Sequence, residues 1–76
     1  MVELLFFGQL TDITGVSSMS WEETADTDTL VKSLIEKYPA LAQSKFRIAV
    51  NNKLITSPTT INSGSRIAFM PPFSGG

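Results

Sequence analysis

The 76-residue chain has no cysteine and no histidine, a single tryptophan and a single tyrosine, and charged side chains make up only 17% of it. Without cysteine there is no disulfide framework, no thiolate nucleophile and no sulfur ligation of zinc or iron. Without histidine the commonest metal ligand and the commonest general base are missing, and no metal site is expected. Long apolar runs are missing too. No stretch approaches the ~20 residues that a membrane span needs, and Met1-Val2-Glu3 places no basic segment ahead of the short apolar run after it. The expectation is a cytoplasmic protein with no membrane partner. Six Lys and Arg against seven Asp and Glu give a net charge of -1, and the basic residues are scattered rather than striped. Nothing in that balance follows a phosphate backbone, so nucleic acid is not an expected partner.

The chain does hold apolar surface: 42% of residues are hydrophobic and the mean hydropathy is +0.12, too apolar for disorder. The length suits one small domain that buries about 60% of its chain surface on folding, which leaves little room for an enclosed pocket. So much apolar character on so small a body points to a surface that meets a partner.

Val2 to Phe7 is apolar on both faces apart from Glu3, the pattern of a central strand covered on both sides. Leu10 and Ile13, three apart and succeeded by Gly15, predict one or two helical turns with a glycine exit. Ser17 to Glu22 alternates, with Met19 and Trp21 on one face, and reads as a half-buried strand. Thr27-Asp28-Thr29 offers N-caps ahead of Leu30, Val31, Leu34, Ile35 and Tyr38, one continuous stripe on a main helix that Pro39 ends. Ala40 to Gln43 has room for a short turn. Phe46, Ile48 and Val50 alternate with Arg47 and Ala49 in a third strand leading into Asn51-Asn52, a pair that tolerates positive φ in a tight hairpin. Leu54-Ile55 starts a short return strand, and Arg66 to Met70 forms a last strand after the Asn62-Ser63-Gly64 turn. The layout is α+β with a β-grasp topology: one mixed sheet packed against one main helix over residues 1–70, with 71–76 as a C-terminal tail. The first and last strands, the most apolar, are expected side by side and parallel at the centre of the sheet.

Alternation also assigns an outward face. Glu3 shares a face with Leu5 and Phe7, and Arg66 shares one with Ala68 and Met70, so Phe7 and Met70 are expected to point away from the helix. With Leu54 on the neighbouring hairpin they are the candidate partner interface. Asp26 and Asp28 could pair on a metal, but beside a helix start they read as capping acids. Asn62-Ser63-Gly64-Ser65 has the composition of a phosphate loop without its lysine or its helix, and reads as a turn. Trp21 and Tyr38 lack the basic groove of a stacking platform and read as core or rim residues.

The unusual feature is Pro71-Pro72-Phe73-Ser74-Gly75-Gly76. The two prolines cannot extend a ladder and stiffen the chain near polyproline II, so they end the last strand and aim the last four residues away from the body. Gly75 and Gly76 carry no side chain, and such an end can thread a narrow channel in another protein and lay its α-carboxylate against a nucleotide's α-phosphate. In a chain with neither nucleophile nor general base, that carboxylate is the candidate reactive group.

Three stretches resemble a known family: Val2-Glu3-Leu4-Leu5-Phe6-Phe7-Gly8-Gln9-Leu10, Ala49-Val50-Asn51, and Gly64-Ser65-Arg66-Ile67-Ala68-Phe69-Met70-Pro71-Pro72-Phe73-Ser74-Gly75-Gly76. Together they are similar to the MoaD-type small subunit of molybdopterin synthase, a ubiquitin-like β-grasp sulfur carrier, with Phe73 standing where the family often has valine. The resemblance implies that an E1-like adenylyltransferase consumes ATP to turn the Gly76 carboxylate into an acyl-adenylate, and that sulfur replaces AMP to give a C-terminal thiocarboxylate. It implies a partner, the synthase large subunit, joined in a heterotetramer and supplying the catalytic side chains. There the tail, threaded through Pro71, Pro72, Phe73, Ser74 and Gly75, would give sulfur to cyclic pyranopterin monophosphate and build the dithiolene of molybdopterin. No tightly bound cofactor is implied. Two alternatives stay open: the sulfur carrier of thiazole biosynthesis, and a non-catalytic β-grasp interaction module whose tail is inert.

Overall fold

The computed structural model describes residues 1–72. The first strand, β1 (Val2–Phe6), buries Val2, Leu4 and Phe6 on one face and leaves Glu3 exposed on the other. It stops one residue short of the apolar run because Gly8 takes a φ of +59°, a turn that glycine enters without steric cost. A short helix, α1 (Leu10–Thr14), comes next and ends at Gly15, whose left-handed backbone donates to the Thr11 carbonyl. The second strand, β2 (Ser18–Trp21), returns antiparallel to β1, with Leu4 opposite Met19.

The main helix, α2 (Thr27–Lys37), starts one residue earlier than the threonine-rich run suggests. Its cap is Asp26, whose carboxylate Oδ1 accepts from the Thr29 amide at 2.8 Å. Thr27 is drawn elsewhere: its hydroxyl accepts from the Thr59 amide at 3.0 Å, and its own amide donates to the Thr59 carbonyl. The helix gives way at Tyr38 to a 3-10 turn over Pro39–Gln43 that buries Leu41, consistent with the restriction proline places on the residue before it. β3 (Arg47–Val50) and β4 (Lys53–Ile55) form a hairpin through Asn51 and Asn52, both at positive φ. β5 (Arg66–Met70) then inserts parallel to β1 and antiparallel to β3.

The sheet order is β2-β1-β5-β3-β4, so the first and last strands are central neighbours, as their apolar character predicts. Leu30 and Leu34 of α2 meet Leu4, Phe6, Ile67 and Phe69 in one core. The rings of Phe6 and Phe69 are stacked 5.3 Å apart, and Phe46 meets Phe69 edge-on at 5.6 Å, both favourable aromatic arrangements. Two core residues lie outside the periodic segments, Leu41 and Ile61. Ile61 is drawn in by its amide, which donates to the Ala25 carbonyl. Trp21 and Tyr38 are half-buried at the rim, with the Lys37 ammonium 5.6 Å and 5.8 Å from their ring centroids. Among the described residues no helix is long and apolar enough to cross a membrane.

Candidate functional site: the outer sheet face and the chain end

The sequence reads β1 as covered on both faces, but the helix covers only one. On the other, Phe7 is 47% exposed and Leu54 is 53% exposed, while Leu5 and Met70 are half-buried. Strand register explains the shape of this face. Leu5 lies opposite Ala68, Ala68 opposite Ala49, and Ala49 opposite Leu54, so one row of side chains crosses four strands. Large residues stand at the ends of that row and two alanines at its middle. The result is an apolar groove of about 290 Å³, floored by Ala49 and Ala68 and walled by Leu5, Phe7, Leu54 and Met70, with Arg47 and Asn52 at its edge.

The charges sit beside the groove rather than in it. Arg66 Nε donates to Glu3 Oε1 at 2.9 Å across the β1–β5 pair. Both partners are about half-exposed, so the pair contributes little stability and serves to keep two opposite charges off the apolar floor. Arg47 lies across the ladder from Met70 and leaves one guanidinium at the rim. An apolar centre with a polar rim is the usual anatomy of a protein docking surface.

Phe7, Leu54 and Met70 are therefore brought to one patch. Leu5, Ala49 and Ala68 complete it and were not legible as groove residues, because the depression exists only once β5 is registered between β1 and β3. Pro71 and Pro72 come immediately after β5: Pro71 is half-buried and Pro72 exposed. Phe73, Ser74, Gly75 and Gly76 lie outside the described residues.

The acidic pair near α2 is accounted for by capping. Hydrogen bonding from the Thr29 amide, aided by the Thr29 hydroxyl and the charge of Lys32, holds the Asp26 carboxyl below its ordinary 3.8, and Asp28 sits exposed in the first turn. Glu23, hydrogen-bonded to the Met1 ammonium at 3.2 Å, is likewise held below its ordinary 4.5 by that bond, by the ammonium's charge and by the Ser63 hydroxyl. Among the described residues no three His, Cys, Asp or Glu side chains converge as a metal site would require. Asn62 to Ser65 is a turn with Gly64 at a φ of +81°, closed by the Ser65 amide on the Asn62 carbonyl.

Among the described residues, a five-stranded mixed sheet grasping one main helix, with β5 at its centre, defines a ubiquitin-like β-grasp protein. The chain belongs to the ThiS family, whose profile matches residues 4–76. It is 31% identical over 81 residues to the molybdopterin synthase sulfur carrier subunit of Haemophilus influenzae, with the whole of both chains covered. A solved protein-protein complex of subunits 1 and 2 of the molybdopterin-converting factor from Helicobacter pylori contains a chain that is 26% identical, with a TM-score of 0.72 and coverage of 99% of this chain and 97% of that one. The small archaeal modifier protein 1 of Methanosarcina acetivorans shares the fold at a TM-score of 0.82 and 23% identity, over 99% of this chain and 95% of that one.

Proposed function

We propose that this chain is the sulfur-carrying small subunit of a molybdopterin synthase. The observation that carries the reading is full-length similarity to a molybdopterin synthase sulfur carrier subunit, at 31% identity. The complex of subunits 1 and 2 from Helicobacter pylori supports a large-subunit partner, and the apolar outer groove supplies a surface of the right character to dock it.

In the cycle we propose, the outer face docks first on an E1-like adenylyltransferase. The Gly76 carboxylate attacks the α-phosphate of ATP, pyrophosphate leaves, and a sulfur donor then displaces AMP to give the thiocarboxylate. The charged chain moves to the large subunit, where Phe73, Ser74 and Gly75 thread the tail inward and the sulfur passes to cyclic pyranopterin monophosphate. Two such deliveries build the dithiolene. The proton-transferring side chains belong to the partner, since this chain has no histidine or cysteine to supply them. We place the cycle in the cytoplasm and the resting complex as a heterotetramer.

Intact mass after incubation with ATP, the activating enzyme and a sulfur donor tests the first half: the chain gains the difference between one sulfur and one oxygen. Deleting Gly76 retracts the carboxylate by about 3.5 Å, beyond the tolerance of an in-line attack, and abolishes charging without unfolding the domain. A Gly76-deleted chain that still supports molybdopterin formation from purified large subunit and pterin precursor would overturn the reading. Charging without subsequent transfer to the pterin would move the chain to the thiazole branch.

A further inference from the structure

The parallel pairing of β1 with β5 places Phe6 opposite Phe69, and the ladder extends one rung further, with the Phe7 amide donating to the Phe69 carbonyl at 3.0 Å. Carried two positions on, the same register sets Gly8 beside Pro71. The two residues touch. A Cβ built on Gly8 would stand 2.6 Å from Pro71 Cγ and 3.3 Å from its Cδ, so the pyrrolidine ring occupies the space that any other residue at position 8 would need. Gly8 is also the less movable partner. Its carbonyl accepts both the Thr11 amide at 3.2 Å and the Thr11 hydroxyl at 2.8 Å, and the preceding Phe7 carbonyl accepts the Leu10 amide.

We infer that Gly8 is a positioning residue for the chain end: its bare α-carbon forms a socket for the Pro71 ring and fixes the direction in which the chain leaves the sheet. Pro71 cannot continue the ladder, having no N–H, so main-chain hydrogen bonding no longer fixes the backbone there. Ring packing on Gly8 takes over that role, and Pro72 carries the direction on, because two successive prolines restrict the backbone torsions. The inference rests on the carrier reading, in which where the terminus points decides how often it reaches the partner's active site.

Gly8→Ala in the full chain tests it. The added methyl displaces the Pro71 ring. The rate of thiocarboxylate formation at saturating carrier should fall about tenfold, since misplacement by about 1 Å carries penalties of that order or more. KM should stay within about twofold, because the docking groove is untouched. In a Pro71→Ala background the clashing ring atoms are gone, and adding Gly8→Ala should then cost less than about twofold, a non-additivity that shared contact produces and independent sites do not. A Gly8→Ala chain that charges at the parent rate overturns the socket, and so does an equal loss in both backgrounds, which would assign the effect to alanine at positive φ. If Gly8→Ala does not fold, proton-proton Overhauser contacts between the Gly8 α-protons and the Pro71 ring in the unaltered chain decide: their presence upholds the socket and their absence overturns it. Failure of the unaltered chain to charge would instead count against the carrier reading.

Discussion

Phe7→Ala separates docking from folding. The ring lies outside the core cluster, on the face opposite α2, and is 47% exposed. A phenylalanine side chain offers on the order of 200 Å² for burial, so roughly 90 Å² is still available to a partner. At ~25 cal/mol per Å² that area contributes about 2 kcal/mol to docking, and its loss raises Kd roughly 30-fold. The folded domain loses less, because truncating a peripheral side chain opens no cavity among the buried residues: about 1 kcal/mol, or roughly 5 °C in melting midpoint. The assay is a calorimetric titration of the large subunit into the carrier, with the variant's thermal melt recorded beside it. A Kd within about threefold of the parent would refute the reasoning, because the most exposed aromatic ring of the outer face would then contribute nothing at the interface. A collapse of the melt would refute it differently, by showing that the ring belongs to the fold.

Leu34→Ala, at the centre of the buried stripe of α2, should cost about 3 kcal/mol and lower the melting midpoint by roughly 15 °C, read by circular dichroism. Asp26→Asn keeps an oxygen acceptor for the Thr29 amide but removes the titrating carboxylate. A carboxyl held below its ordinary 3.8 contributes stability that is present above that value and is lost as pH falls through the lowered one. The parent should therefore lose stability on acidification below about pH 4 more steeply than the variant in paired urea titrations, and superimposable pH profiles would reject the cap's charge as a contributor.

Most of the scaffold can be read from the chain because it is written in local periodicities. The short apolar run from Val2 to Phe7, the stripe from Leu30 to Tyr38 and the Asn51-Asn52 turn each encode their own conformation within a few residues, although the run reads as covered on both faces and the helix covers only one. The features that escaped detection depend on distant partners. Asp26 reads as a capping acid from its place beside the helix start, but the choice of Asp26 over Thr27, Asp28 and Thr29 as the cap itself is made at a distance, because Thr27 is engaged by Thr59, 32 positions away. Ile61 sits in a polar stretch, and its burial comes from the bond to Ala25. Ala49 and Ala68 are ordinary in sequence and become a groove floor only when β3 and β5 are paired.

The central position of β5 also governs how the domain forms. Glu3 and Arg66, neighbours in the finished sheet, are 63 positions apart, so the β1–β5 pairing closes nearly the whole chain into one loop and meets that entropy before any contact repays it. Until β5 inserts, β1–β2 and β3–β4 are two separate ribbons with no shared ladder, since β5 is the strand that hydrogen-bonds to both. Folding of this chain should accordingly be slow for its size, and its transition state should be sensitive to substitutions in Ile67 and Phe69. The strand that precedes the Gly-Gly end is thus also the one that completes the sheet, so a chain that has not finished folding lacks both the register beneath the groove and the fixed departure point for its terminus.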